Sequence, residues 1–595
     1  MRSDLGAVPS GRSTTDFTVW APHADTVEVR GNGERICLTH GADGYHRGSA
    51  GWGPGSLYRY VIDGGAELAD PASKSQPHGV HGDSEVIDLT YQWDNQTFRA
   101  RPLREWVIYE LHVGTFTQQG TFSAAVSVLD ELVDLGVTAV EIMPVAQFPG
   151  RRNWGYDGVF PFAVQDSYGG AAGLQMFVDQ CHQRHLAVVL DVVYNHLGPE
   201  GNVLDRFGPY FTDRYTTPWG PAVNLDGPYS DGVRAYFLAN VRQWFEDFRV
   251  DALRLDAVHE FIDRSARPFL AELAAAVEDL SDRTGRPGFL IAESADNNPL
   301  TITPATSHGL GMDAQWNDDF HHSVHAILTG ERTGYYGDYG RADDLARAMN
   351  QGFVYQGQYS RFRKRRHGAP SNALPPDRFV TFVQNHDQVG NRADGARMST
   401  LVPADRLRLA AALLLLSPGV PLLFMGEEYG EVAPFAYFVD HGDPELLDAV
   451  RRGRSSEHAH DASGPVPDPG DPATFADAVL RRPVGDGSAQ CELLHLYRDL
   501  IALRRDEPAL HHSPRNTTLA SSDGDVVALL RRHAETSVVA FFNLCASAGS
   551  AQLPPAEHWK ELLRTDGTDE AHGVVTLDPW GFRVFRAHST PADGR

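Results

Sequence analysis

Apolar positions fall into two textures along the chain. In the first hundred residues they form short runs, at 17–20, 26–30 and 57–62, separated by Gly, Asn and Asp turns. Short runs rich in β-branched and aromatic residues predict strands, and no helix of useful length fits between them. A small β-sandwich ending near residue 100 is therefore expected. From residue 106 onward short apolar runs alternate with amphipathic helical windows, the pattern of repeated β-α units around a parallel sheet. Strands are predicted at 106–110, 139–143, 187–192, 252–255, 289–292, 312–316, 379–384 and 420–425. Eight such strands fit a (β/α)8 TIM barrel of the α/β class better than a doubly wound sheet, which has fewer strands and an early glycine fingerprint. The apolar stretch 409–425 is broken by Ser417-Pro418-Gly419-Val420-Pro421 and reads as a buried helix followed by a buried strand. After it, residues 430–472 are dense in Asp, Pro, Gly and His and predict a long loop, the kind of segment that serves as a lid. A helix over 493–505 closes the barrel, and 526–530, 537–542 and 582–585 alternate like strands. The expected domains are an N-terminal β-sandwich (1–100), a catalytic-size barrel (101–512) with a short insertion after strand three, and a C-terminal β-domain (513–595).

Length and charge narrow the function. At 595 residues the chain exceeds the roughly 250–300 at which one core stops growing, so satellites around a large domain are expected. Acidic side chains outnumber basic ones, 78 to 52, for a formal charge of −26. That field repels nucleic acid phosphates and anionic membranes, which excludes both as partners. Cys37, Cys181, Cys491 and Cys545 lie far apart and suggest neither a zinc framework nor a disulfide scaffold. The N-terminus carries no apolar signal core, and a cytoplasmic protein is expected.

Barrel enzymes carry their chemistry just beyond the C-terminal ends of their strands. Strand three ends in DVVYNH (191–196), strand four in LRLDAVH (253–259), strand five in LIAES (290–294) and strand seven in VQNHDQ (383–388). Each apolar run is followed at once by a carboxylate, an imidazole or both. Asp256, Glu293 and Asp387 are thus aimed at one cleft. Glycosidic cleavage needs such a set: a carboxylate to attack the anomeric carbon, an acid to protonate the leaving oxygen, and negative charge to steady an oxocarbenium-like transition state. Arg254 lies two residues before Asp256 and points to the same side, where it can hold that carboxylate ionised. A lone Asp at a strand end is usually a cap or an ion-pair partner. Four strand ends together make that plainer reading the weaker one.

DVVYNH, ALRLDAV, AES and QNHD, in this order and at barrel spacing, resemble the four signature regions of the α-amylase family of glycoside hydrolases. The resemblance covers nearly the whole chain. It implies Asp256 as nucleophile, Glu293 as general acid/base and Asp387 as transition-state stabiliser, with His196, Arg254 and His386 around the attacked sugar. Asp191, His259, Gln388 and Asn391, inside or beside these motifs, are also expected to contact substrate. Further strings, WNDDFHH (316–322), MGEEYG (425–430) and PFAYFVDH (434–441), are similar to the trehalose-releasing members. The implied reaction is retaining hydrolysis of the α-1,4 bond beside the terminal trehalose of maltooligosyl trehalose. A synthase making that substrate is then a functional partner. The alternatives are a glucan branching enzyme using the same carboxylates, a debranching hydrolase, and a catalytically dead glucan-binding protein, which the intact three carboxylates disfavour.

Tyr156, flanked by Gly155 and Asp157, is expected to meet sugar, whereas Trp154, Phe320, Phe435 and Tyr437 serve equally well as sugar platforms or loop anchors. Asp318, Asp319, Phe320, His321 and His322 after strand six, and Glu427, Glu428 and Tyr429 after strand eight, are expected to wall the leaving-group side. The plainer alternative is that Asp318 and Asp319 cap the following helix. Adjacent His321 and His322 point apart and predict no metal site. No calcium loop, phosphate-binding glycine loop or nicotinamide fingerprint stands out, so no metal and no cofactor are expected.

Overall fold

The structure, a computed structural model, describes residues 4–458, 466–482, 488–511, 517–534, 536–556, 558–565 and 573–588. Its first eighty-odd residues form two antiparallel sheets. One holds Gly6–Gly11, Thr14–Trp20, Tyr45–Ala50 and Thr39–His40; the other is centred on Val27–Gly31 and Leu57–Ile62. Phe17 fills the space between them, meeting Trp52 and Tyr58 edge-on at 5.6 and 5.1 Å. Trp20 leaves this module to pack against Tyr210 of the barrel, with ring centroids 5.2 Å apart.

Eight parallel strands then close a barrel in sequence order, and strand eight pairs back onto strand one. They are Ile108–Leu111, Ala139–Ile142, Ala187–Val192, Ala252–Leu255, Phe289–Ala292, Ala314–Trp316, Phe379–Thr381 and Val420–Phe424. The expected TIM barrel is thus present, with the third, fourth and fifth strands at their predicted bounds. Strand seven is shorter than the apolar run 379–384, because Asn385 caps a new helix, His386–Gly390, through a bond from Gln388 N to its side chain. The helix Ala404–Leu416 precedes strand eight, as the broken apolar stretch predicts. Among the described residues no helix is long and apolar enough to cross a membrane.

Two loop regions hold more structure than their sequences predict. After strand three come a short helix, Leu204–Phe207, and a hairpin of Phe211–Thr217 with Gly220–Val223. The supposed loop 430–472 contains the helix Pro444–Glu457. Asp443 caps it, accepting from the backbone N–H of Glu445 and Leu446, and Pro444 presets its first turn. None of its residues is buried, and only Leu446, Leu447 and Val450 mark an apolar side in the sequence. Residues 459–465 of that stretch lie outside the described residues. A helix over Ala489–Asp506 packs on the barrel, followed by a five-stranded antiparallel sheet that includes Val526–His533, Thr536–Asn543 and Phe582–His588. Asn350 ties this sheet to the barrel by exchanging two 2.7 Å hydrogen bonds with the Ala520 backbone.

Candidate active site

Strand alternation explains how charged groups enter this barrel. Ile108, Ala139, Val189, Ala252, Ile291, Ala314 and Val380 fill its interior. Stepping two residues along each strand keeps a side chain on the same face. Glu110, Glu141, Asp191, Arg254 and Glu293 therefore continue the interior stacks upward, with Asp256 one further step above Arg254. The C-terminal mouth is reached where the apolar layer ends, and a polar layer replaces it.

Arg254 organises that layer. It is fully buried, and its Nη1 donates to both oxygens of Asp191 (3.0 and 2.9 Å) and to Oδ1 of Asp256 (2.9 Å). Its Nη2 lies 3.9 Å from Glu293 Oε2 and 3.9 Å from Asp387 Oδ2. One guanidinium thus meets all three expected catalytic carboxylates, which come from strands four, five and seven. Trp316 lies beneath it, 4.1 Å from ring centroid to Cζ, and fixes the plane of the fork. Burial raises the Asp191 carboxyl, to about 7, against the opposing pull of Arg254.

The backbone at the mouth is shaped for these contacts. Ala257, directly after Asp256, is left-handed at φ 40° and ψ 52°. A non-glycine residue rarely takes this conformation, and here it turns the Ala257 N–H onto Glu293 Oε2 at 2.5 Å. Asp256 N donates to Val192 O and Glu293 N to Leu255 O, so each carboxylate hangs from its neighbour's strand end. Burial raises the Glu293 pKa, with Arg254 pulling it down and Asp256 and Asp387 pushing it up. A carboxyl with one oxygen held and its pKa raised can serve as a proton donor.

His386 forms the second charged centre. Its Nδ1 lies 2.5 Å from Glu110 Oε1, and its Nε2 is 2.7 Å from the Tyr156 hydroxyl and 3.5 Å from Asp387 Oδ1. Burial alone would lower its pKa, but Asp387 and Glu110 raise it to about 9. Tyr156 donates in turn to Asp191 Oδ2 at 2.6 Å, while its ring lies against the His386 imidazole. A continuous path thus joins Glu110, His386, Tyr156, Asp191 and Arg254.

Of the other expected contacts, His196 sits at the rim with its Nε2 3.0 Å from Tyr156 O, and Asn391 donates to Asp387 Oδ1 at 3.4 Å. His259 follows Asp256 at the mouth and is half-buried, with its Nδ1 unpartnered. Asp318 is half-buried, accepts from Gln388 Nε2 at 3.2 Å, and has its pKa raised to about 8 by burial and by Glu293 and Asp387.

The rest of the strand-six set does not face the cleft. Asp319 is buried and accepts from Asn297, Tyr339, Val354 N and Tyr355 N, which saturates it. Phe320 is buried in the core. His321 bonds Val383 O and the Tyr336 hydroxyl, and His322 packs among Tyr335, Tyr336 and Tyr339. These residues ride the helix Asp318–Thr329, whose turn carries them inward once Asp318 faces out. After strand eight, Glu428 accepts from Tyr109 and Glu427 from Tyr497; both are buried behind the barrel wall instead of lining the leaving-group side. Trp154 and Phe435 stack on each other, 5.1 Å apart and buried, and anchor loops.

Four features of the site were not anticipated from sequence. Glu110 and Glu141 lie inside the barrel, and their only signal is a charge in the apolar strands IYEL and AVEI. Trp219, 49% exposed at the hairpin tip, stacks flat on His196 at 4.4 Å and leaves its other face open. Phe362 is exposed and meets Tyr335 edge-on, next to Gln388. Among the described residues no cluster of three or more His, Cys, Asp or Glu could hold a metal ion.

Comparison with known proteins places this geometry. The α-amylase catalytic-domain profile matches residues 91–215. A malto-oligosyltrehalose trehalohydrolase of Rhizobium sp. (strain M-11) is 44% identical over 585 residues, covering 96% of this chain and 97% of the relative. That of Arthrobacter ramosus is 49% identical over 501 residues, 83% of this chain and 87% of its own. A glucan branching enzyme of Geobacillus stearothermophilus reaches 28% over 487 residues. Among solved structures, a Salmonella typhimurium protein assigned as an alpha amylase superposes with a TM-score of 0.91 at 37% identity, over 99% of this chain and 100% of that one. A Paenibacillus barengoltzii pullulanase, 20% identical with a TM-score of 0.71, shares the fold.

Proposed function

The chain belongs to the malto-oligosyltrehalose trehalohydrolases of the α-amylase family, and from that premise we propose how its residues divide the cleavage of the α-1,4 bond beside a terminal trehalose. Asp256 attacks the anomeric carbon. The hydrogen bond from Arg254 Nη1 holds its oxygen in place and keeps negative charge available. Glu293, its pKa raised by burial, gives its proton to the departing trehalose oxygen and then takes one from the water that resolves the glycosyl-enzyme. Asp387, facing the same guanidinium and His386, steadies the positive charge that builds on the ring. Tyr156 and His196 bound the attacked sugar, and Trp219 extends that wall.

The leaving trehalose lies on the strand-six side. Asp318 and Gln388 offer hydrogen bonds there, and Tyr335 and Phe362 offer ring faces. A pocket built to pair with hydroxyls rejects a ligand that leaves its polar groups unpaired, which is how the trehalose end is selected. A cytoplasmic setting and a functional partnership with a maltooligosyl trehalose synthase complete the reading.

The convergence of three carboxylates on one buried guanidinium carries this assignment. Incubation with maltotriosyl trehalose, maltopentaose and amylose, followed by product separation, tests the reaction. Free trehalose with maltotriose from the first substrate is expected. New branch points in amylose would point to the transferase instead, and no turnover to a binding protein.

A further inference from the structure

A cavity of about 540 Å³ opens where the N-terminal module meets the loops after strands two, three and eight. It is tied to the catalytic mouth by a chain of polar contacts that starts one residue from Tyr156. Asp157 accepts from Asn153 and Tyr437 and lies 3.8 Å from His441 Nε2. The Nδ1 of His441 is 3.2 Å from Glu200 Oε2, and Glu200 Oε1 is 3.1 Å from Nε2 of His81 in the N-terminal module.

We propose that this cavity is a distal subsite for the α-1,4-linked glucose residues at the far end of the substrate chain. The inference rests on the functional reading above and deepens it. Topology gives the direction: strands two and six lie opposite each other in a closed eight-strand order. With trehalose leaving over strand six, the remaining glucan runs out over the arc of strands two, three and eight, where the cavity sits. Its walls are fixed before any ligand arrives. Asp440 holds Arg152 and the backbone N–H of Arg151 (2.8 Å), while the Gln165 side chain bonds Phe148 N, Gly150 O and Ser167. Its chemistry is mixed, with His78, His81 and Arg151 beside Asp166, Glu200 and Asp440. With the imidazoles neutral, three carboxylates outnumber one guanidinium, which disfavours an anion, and the mix of donors and acceptors suits a neutral polyhydroxylated chain. A volume in the roughly 300–1,000 Å³ range of ligand pockets accommodates sugar units.

The test compares chain lengths. His81→Ala and Ser167→Trp sit in this cavity, away from the reacting groups. Losing one or two hydrogen bonds to sugar should cut kcat/KM on maltohexaosyl trehalose about threefold to tenfold while leaving maltosyl trehalose within about twofold. Equal losses on both substrates, or none on either, overturn the proposal. Titration calorimetry with maltoheptaose in a Glu293→Gln background reads the subsite without turnover: adding Ser167→Trp should weaken binding, and an unchanged Kd overturns the proposal. A wild-type protein that releases no trehalose counts against the functional reading, while the calorimetry still decides the subsite.

Discussion

Arg254→Lys is the sharpest probe of the site, because it keeps the charge and removes the fork. In the native arrangement Nη1 serves Asp191 and Asp256 together, and Nη2 faces Glu293 and Asp387. An ammonium is a compact point charge and cannot reproduce that planar spread. The fully enclosed Asp191 has the greater claim on it, since an unpaired buried carboxylate is the costlier outcome. Asp256 then loses its bond. A charge-assisted hydrogen bond contributes about 1.5–3 kcal/mol. At about 1.4 kcal/mol per tenfold, kcat on maltotriosyl trehalose should fall roughly tenfold to a hundredfold. Thermal stability should change little, because the buried charge remains paired. Arg254→Leu should behave differently, stranding Asp191 and costing about 3–5 kcal/mol of folding stability. Steady-state kinetics and thermal unfolding of the two variants separate these effects. A Lys variant with kcat within about twofold of wild type would refute the idea that Arg254 orients the nucleophile.

Glu293→Gln should keep the acceptor for Ala257 N–H and lose the proton, lowering kcat by about 10²–10⁴-fold with KM nearly unchanged; a retained kcat would remove Glu293 from the acid role. Asp319→Ala should reduce kcat/KM equally on maltotriosyl trehalose and on plain maltooligosaccharides and lower Tm, since its four bonds are all to protein; a selective loss on the trehalose-ended substrate would return it to the cleft. Glu427, raised to about 8 by burial, gives stability that is fully present below the unfolded carboxyl pKa near 4.3 and is lost as pH rises through 8. Glu427→Gln should therefore flatten the fall in urea midpoint between pH 5 and pH 9, and an unchanged slope would show that Glu427 is ionised throughout.

What the sequence disclosed and what it hid follow from geometry. The strands Ala252–Leu255 and Phe289–Ala292 are short and largely buried, so their ends are plain, and the next inward residue, Asp256 or Glu293, is a catalytic candidate; in Ala187–Val192 the inward charge, Asp191, lies within the strand itself. The helix after strand six is a different problem. Asp318, Asp319 and His321 are close in sequence, yet each step turns about 100° around a helix axis. Which one faces the cleft depends on the entry angle of the helix, and that is fixed by Asn317 capping Phe320 N and by the Asn297 and Tyr339 bonds to Asp319. The Asn317 cap is local, but Asn297 and Tyr339 are distant in sequence from Asp319 and cannot be read in advance. The helix Pro444–Glu457 was hidden for a third reason: its few apolar residues, Leu446, Leu447 and Val450, are scattered among charges in a stretch dense in Asp, Pro, Gly and His, and none becomes buried.

The division of labour between Asp256 and Glu293 also follows from how scarce positive charge is in the barrel. Arg254 and His386 face Glu110, Asp191, Asp256 and Asp387, with Glu141 and Glu293 close by. Two cations shared among six crowded carboxyls cannot favour the ionised form of each equally. Distance ranks the claims. Asp191 and Asp256 take direct 2.9 Å bonds from the guanidinium, and Glu110 takes the short bond from His386. Glu293 stands off at 3.9 Å, and Glu141 has no hydrogen-bond partner on either oxygen. Burial raises Glu293 and Asp191, Asp191 to about 7 even with its guanidinium bonds, and it raises Glu141 well above the usual carboxyl range. Glu293, denied that bond, has its pKa raised by burial beside a nucleophile that the guanidinium holds directly. Acid and nucleophile are chemically alike, and the position of one guanidinium makes them different.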